Sequence, residues 1–181
     1  MNDQVLTYLF WLKSRGEQYH LAPHLQQRSI SHEETSTEYG CKVLFCHDLP
    51  FNHQEKVLMS KVLSAMNLLP QDVAFNYQFS KSQMPSANEM QQAQQRFWQF
   101  ASEKAPQVIV GLGAIGSILS LRSSLEGIKE KKRCWQSLYE NGTTYNVFTT
   151  YHPRDLIRDP DLKRHAWEDY KKIIEKLGTT E

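Results

Sequence analysis

Short apolar runs alternate with stretches of three-and-four apolar spacing along most of this chain, and few architectures accommodate that rhythm. The first run is Lys42-Val43-Leu44-Phe45-Cys46, ended by the Leu49-Pro50 turn. The others are Val73-Ala74-Phe75-Asn76-Tyr77, Val108-Ile109-Val110 and Tyr145-Asn146-Val147-Phe148-Thr149. Between the first two, Glu55 to Leu69 places Val57, Leu58, Val62, Leu63, Met66 and Leu69 at helical spacing, and Pro70-Gln71-Asp72 closes it. Ser86 and Glu89 form a capping box for a second helix reaching about Lys104, with Phe97, Phe100 and Ala101 facing inward. A third helix runs from Ala114 to about Leu125, a charged stretch after it reads as irregular, and a last helix spans Asp161 to Leu177 and stops at Gly178. Strand and helix in alternation imply parallel strands, because each helix supplies the crossover that a parallel pair requires. The expected fold class is therefore α/β: three layers, α/β/α, around a central, mainly parallel four-stranded sheet.

Ahead of this body, Val5 to Lys13 carries Val5, Leu6, Leu9, Phe10 and Leu12 at spacings that give a short helix with a bulky apolar face, stopped at Gly16. From His24 to Tyr39 the chain is polar, with Leu25 and Ile30 as its large aliphatics, and reads as a tether. The expected organisation is a partner-binding segment over residues 1–23, a tether over 24–40 and a single domain over 41–178. An apolar helix on a polar linker suits insertion into a partner's groove through Leu6, Leu9, Phe10, Leu12 and Tyr19. The same apolar residues would equally serve to cover the chain's own sheet.

Composition bounds the function. At 181 residues with 40% hydrophobic content the chain can bury one ordinary core. Lys plus Arg (21) nearly cancel Asp plus Glu (20), so no global positive field holds DNA by phosphate neutralisation, and DNA contact must be local or made through a partner. The Lys129 to Arg133 run reads as a solvated face. The three cysteines, Cys41, Cys46 and Cys134, have neither CxxC spacing nor an even count. They build no disulfide framework and no four-thiolate cluster, so no metal and no cofactor is expected, and a reducing cytoplasm fits. No apolar run approaches about 18 residues, and the start Met1-Asn2-Asp3-Gln4 lacks the basic region of a secretory signal. A soluble, cytoplasmic protein is expected.

Three motifs could carry chemistry. Gly111-Leu112-Gly113-Ala114-Ile115-Gly116 follows a strand and opens a helix, as a dinucleotide site requires. Yet the interval about 20 residues on, Glu126 to Arg133, offers no strand whose end could hold a ribose, so these glycines read as a tight turn and close packing. Tyr151-His152-Pro153-Arg154 directly follows the last strand and puts an imidazole at the carboxyl edge of the sheet, where ligands of open α/β domains bind. Taken alone, this reads first as a rigid structural turn. His47-Asp48-Leu49-Pro50 places a carboxylate at the end of the first strand, able to activate a water or, more plainly, to bond its own turn.

In this order, the pieces resemble the uracil-DNA glycosylase superfamily from about Cys41 to Leu177, especially its iron–sulfur branch. The match runs through the acidic turn, a strand ending near Asn76, Pro106-Gln107-Val108-Ile109-Val110-Gly111, and the closing Tyr151-His152-Pro153, Leu156-Ile157-Arg158, Pro160, Lys163 and Trp167. The resemblance implies that Asp48 would position the attacking water, Asn76 would pair with the flipped uracil and His152 would stabilise the departing anion. Arg154 and Arg158 are then the candidates for DNA contact. The departures weigh against catalysis. Only Phe51-Asn52-His53-Gln54 separates Pro50 from the helix where family members carry a longer pocket wall, the four cluster cysteines are absent, and Arg154 stands where family members have serine.

Within that superfamily the chain resembles the psi-subunit family of the bacterial DNA polymerase III clamp-loader assembly. Leu9, Leu12, Gly16, Tyr19 and Pro23, then Asp48-Leu49-Pro50 running almost directly into a helix, Pro70-Gln71-Asp72-Val73, and the Arg158, Pro160 and Trp167 spacing carry this likeness. It implies a subunit without catalytic residues, whose amino-terminal segment docks on the clamp loader. The α/β body would bind the chi subunit, and through chi it would reach single-strand-binding protein and DNA. The alternative it leaves is a DNA repair enzyme that excises uracil.

Overall fold

In a computed structural model the described residues are 40–80, 85–123 and 133–178. Readings that fall on residues 1–39, including the partner-binding segment and most of the tether, lie outside them. The elements in chain order are β1 (Val43–His47), α1 (His53–Ala65), a 3-10 turn (Pro70–Asp72), β2 (Val73–Tyr77), α2 (Ala87–Lys104), β3 (Val108–Leu112), α3 (Gly113–Leu121), β4 (Gln136–Glu140), β5 (Thr143–Thr150), α4 (Pro153–Arg158) and α5 (Leu162–Gly178). The sheet order is β2-β1-β3-β5-β4. β1 pairs in parallel with β2 and β3, and β3 in parallel with β5.

β1 and β3 are buried at every position, as central strands covered on both faces must be, which is why their sequences are unbroken apolar runs. The pleat divides their side chains. Val43, Phe45, Val108 and Val110 meet Met59 of α1, Leu156 of α4 and Tyr170 and Ile173 of α5. Leu44, Cys46 and Ile109 meet Phe97 and Trp98 of α2 and Leu119 of α3. The expected three-layer, mainly parallel architecture is therefore present.

The sheet carries a fifth strand beyond the four expected. β4 lies in the stretch read as irregular and pairs antiparallel with β5, with Glu140 opposite Thr143. Asn141 (φ 48°) and Gly142 (φ 83°) make the two-residue turn, the left-handed pair that matches strand twist in a tight hairpin. Its alternating polar residues belong to an edge, not a core strand.

Helix ends are fixed by side chains. Ser86 and Glu89 form the expected capping box, the Glu89 N–H reaching Ser86 Oγ at 3.3 Å and the Ser86 N–H reaching Glu89 Oε2 at 2.8 Å. Asn52 and Glu55 make a second box, with both bonds at 2.9 Å, so α1 begins before Glu55. Trp98 Nε1 and Gln94 Nε2 donate to the Leu119 and Ile118 carbonyls, satisfying the open end of α3 from α2. Gly116 explains the glycine-rich turn: a Cβ there would stand 2.3 Å from the Cys46 carbonyl oxygen, so glycine lets α3 lie directly on β1. Among the described residues no helix is long and apolar enough to cross a membrane.

Candidate functional site

The parallel strands β1, β3 and β5 all end at one edge, and the turns that leave them build one cluster. β1 ends in His47 and delivers Asp48; β5 ends at Thr150 and delivers His152 as the N-cap of α4, with Pro153 in its first turn. Asp48 Oδ1 lies 3.3 Å from His152 Nε2, so residues more than a hundred positions apart in sequence face one another. That contact is at ion-pair distance but poorly aligned, leaving His152 Nε2 buried without a hydrogen bond among the described residues. A shallow cleft of about 170 Å³ opens beside the pair, lined by Leu112, Gly113, Ala114, Ile115 and Arg154 as well as Asp48 and His152. It falls short of the roughly 300 Å³ at which ligand pockets usually begin.

Arg154 dominates the electrostatics. Its Nη1 donates to Asp48 Oδ2 at 3.2 Å and its Nε donates to Glu55 Oε1 at 3.0 Å, tying α4 to both the acidic turn and α1. Glu55 is 1% exposed, so this guanidinium, together with the Asn52 N–H, compensates a carboxylate already removed from water. Asp48 also accepts the Leu49 N–H at 2.7 Å. Partial burial disfavours its charged form, but His152, the Leu49 N–H and Arg154 outweigh this and hold Asp48 well below the usual carboxylate range.

His47 and Phe51 complete the cluster, and the sequence reading assigned neither a role. The His47 ring is 1% exposed and stacks on Phe51 with centroids 4.0 Å apart and planes 10° apart. Phe51 also meets His152 and Phe75 edge-on. It therefore forms an aromatic wall, although the stretch it opens reads in sequence only as a short spacer. The His47 Nδ1–H donates to the Leu49 carbonyl at 2.7 Å, and burial pushes the ring's pKa down to about 4.

Two imidazoles and a carboxylate offer ligand atoms within 4.8 Å of one another, which raises the question of a cation. Proton placement answers against one. His152 Nδ1 accepts the Arg154 N–H at 3.1 Å, so the neutral ring carries its proton on Nε2, the nitrogen a metal would need bare. The Arg154 guanidinium also already supplies Asp48 with positive charge.

Asn76 does not join this group. The pleat turns it toward α2, opposite to His47, and its side-chain oxygen accepts from Gln78 Nε2 at 2.6 Å, while Gln78 accepts from Arg96 Nε at 3.0 Å. Arg158 is 80% exposed and pairs with Asp155 at 3.1 Å. Arg133, read as part of a solvated basic face, instead pairs with the buried Asp169 at 2.9 Å.

An open parallel α/β domain with an acidic turn after its first strand and a His-Pro turn after its last defines a class: a nucleobase-excision frame. A family model described as the Uracil DNA glycosylase superfamily matches residues 32–173. The chain belongs to the uracil-DNA glycosylase superfamily. No curated protein matches it.

Proposed function

We propose that this protein is a non-catalytic member of its superfamily, a psi-like subunit of the bacterial DNA polymerase III clamp-loader assembly. In this reading it bridges the clamp loader to chi and single-strand-binding protein. The observation that carries the non-catalytic part is the Arg154 bridge. A carboxylate that positions a water needs a free oxygen facing the substrate, whereas both Asp48 oxygens are engaged by Leu49, His152 and Arg154. Arg154 cannot swing away freely, because Glu55 would be left as a buried unpaired charge, costing roughly 2–3 kcal/mol after allowance for the exposure of Arg154. The psi-like role rests on the ordered motifs of the sequence and on the apolar amino-terminal segment.

Incubation with uracil-containing single- and double-stranded DNA is expected to release no base above the level of an Asp48→Ala/His152→Ala double variant. Copurification from native lysate is expected to bring clamp-loader subunits and chi with the full chain. Deleting residues 1–23 should remove the clamp-loader subunits while circular dichroism stays unchanged. Retained clamp-loader binding after the deletion would rule out the anchor. One observation favours the alternative, a uracil-excising repair enzyme: Asp48 and His152 remain 3.3 Å apart at the mouth of a cleft. Base release lost in the double variant would establish it.

A further inference from the structure

A buried strand position facing Phe51 and Phe75 is filled most simply by an apolar side chain. His47 stands there instead, and its Nε2 has no hydrogen-bond partner among the described residues, which costs stability. In return the ring makes the contacts of a bound ligand. It has a face-to-face stack on Phe51, an edge contact with Phe75 at 6.2 Å between centroids, and an N–H given to the Leu49 carbonyl at 2.7 Å. The His152 ring stands next to it, 6.1 Å between centroids.

We propose that His47 is the built-in occupant of a slot for a single-ring nitrogen heterocycle, and that its side chain keeps this slot closed in the native protein. Phe51 supplies the stacking face and the Leu49 carbonyl takes a ring N–H. The ligand class is a neutral azole, a five-membered ring with one N–H to donate and one bare nitrogen. The inference rests on the non-catalytic reading above and deepens it, because a ring of the chain's own already covers Phe51.

The test is chemical rescue in the full chain. In His47→Gly, millimolar imidazole is expected to raise the unfolding midpoint saturably by roughly 3 °C or more, with no such rise in the wild type. 1-Methylimidazole, which has no N–H for Leu49, should give less than half that shift. If the glycine variant does not fold alone, recovery of its helical circular dichroism on adding imidazole is the readout, with His47→Ala as a second host. No response to imidazole in either variant, or an equal response to 1-methylimidazole, would overturn the proposal. Rescue of the variant combined with uracil release by the wild type would leave the slot standing and sink the non-catalytic reading, so the two failures are separable.

Discussion

Replacing Asp169 by alanine is expected to lower the unfolding midpoint by roughly 6–12 °C, at about 2–4 °C per kcal/mol for a domain of this size. The carboxylate is fully buried on α5 and accepts Arg133 Nε through both oxygens, at 3.1 and 2.9 Å, and the Thr150 hydroxyl at 2.8 Å. Arg133 continues outward, donating to the His165 carbonyl at 3.1 Å and lying 5.3 Å over the Tyr151 ring. One buried charge thus joins the entry to β4, the exit of β5 and α5. Its removal leaves Thr150 buried without this acceptor and Arg133, a third exposed, without its counter-charge, a loss of about 3 kcal/mol. Asp169→Asn keeps the shape and one acceptor oxygen and should lose roughly half as much. Thermal unfolding followed by circular dichroism checks both; an unchanged midpoint in Asp169→Ala would remove the network from the account of stability.

Acid is expected to weaken the fold in a window set by His47. Its folded pKa lies near 4, below the ordinary 6.5, so between those values the unfolded chain binds the proton more readily than the folded one. The stability it contributes is complete above pH 6.5 and falls as pH drops toward 4, by about 3 kcal/mol in all. Asp48 is depressed in the opposite sense for a carboxylate: its contribution is intact above its ordinary value of 3.8 and is lost only below it. The first acid loss therefore belongs to the imidazole. Urea unfolding at pH 7, 5.5 and 4.5 should show it in the wild type, and His47→Phe, which keeps a ring on Phe51, should show a flatter profile. Identical profiles for the two proteins would refute the assignment.

The layers, the parallel strands and the meeting of Asp48 with His152 were legible in the sequence. They follow from local facts: apolar runs of strand length, helical spacing between them, and polar turns at strand ends that parallel pairing must bring to one edge. The hairpin strand β4 was missed because Gln136-Ser137-Leu138-Tyr139-Glu140 is mostly polar. Its signal was nonetheless present in Asn141-Gly142, a turn that fits a two-residue hairpin. Glu55 and Arg154 were named for other reasons, as a helix start and a DNA contact. Their pairing joins residues 99 positions apart, which no local pattern encodes. The same holds for His47, whose neighbours Phe51, Phe75 and His152 assemble only once the sheet has formed.

The order of strands also governs how quickly such a chain can find itself. Val43 must locate Val73 and Val108, and Val108 must locate Asn146, before any parallel ladder closes, whereas Glu140 meets Thr143 across one turn. Loop closure over such lengths is slow, while a hairpin zips in microseconds. The β4–β5 ribbon is thus the one part of the sheet able to form early and alone, a late-encoded seed onto which the earlier-encoded core condenses.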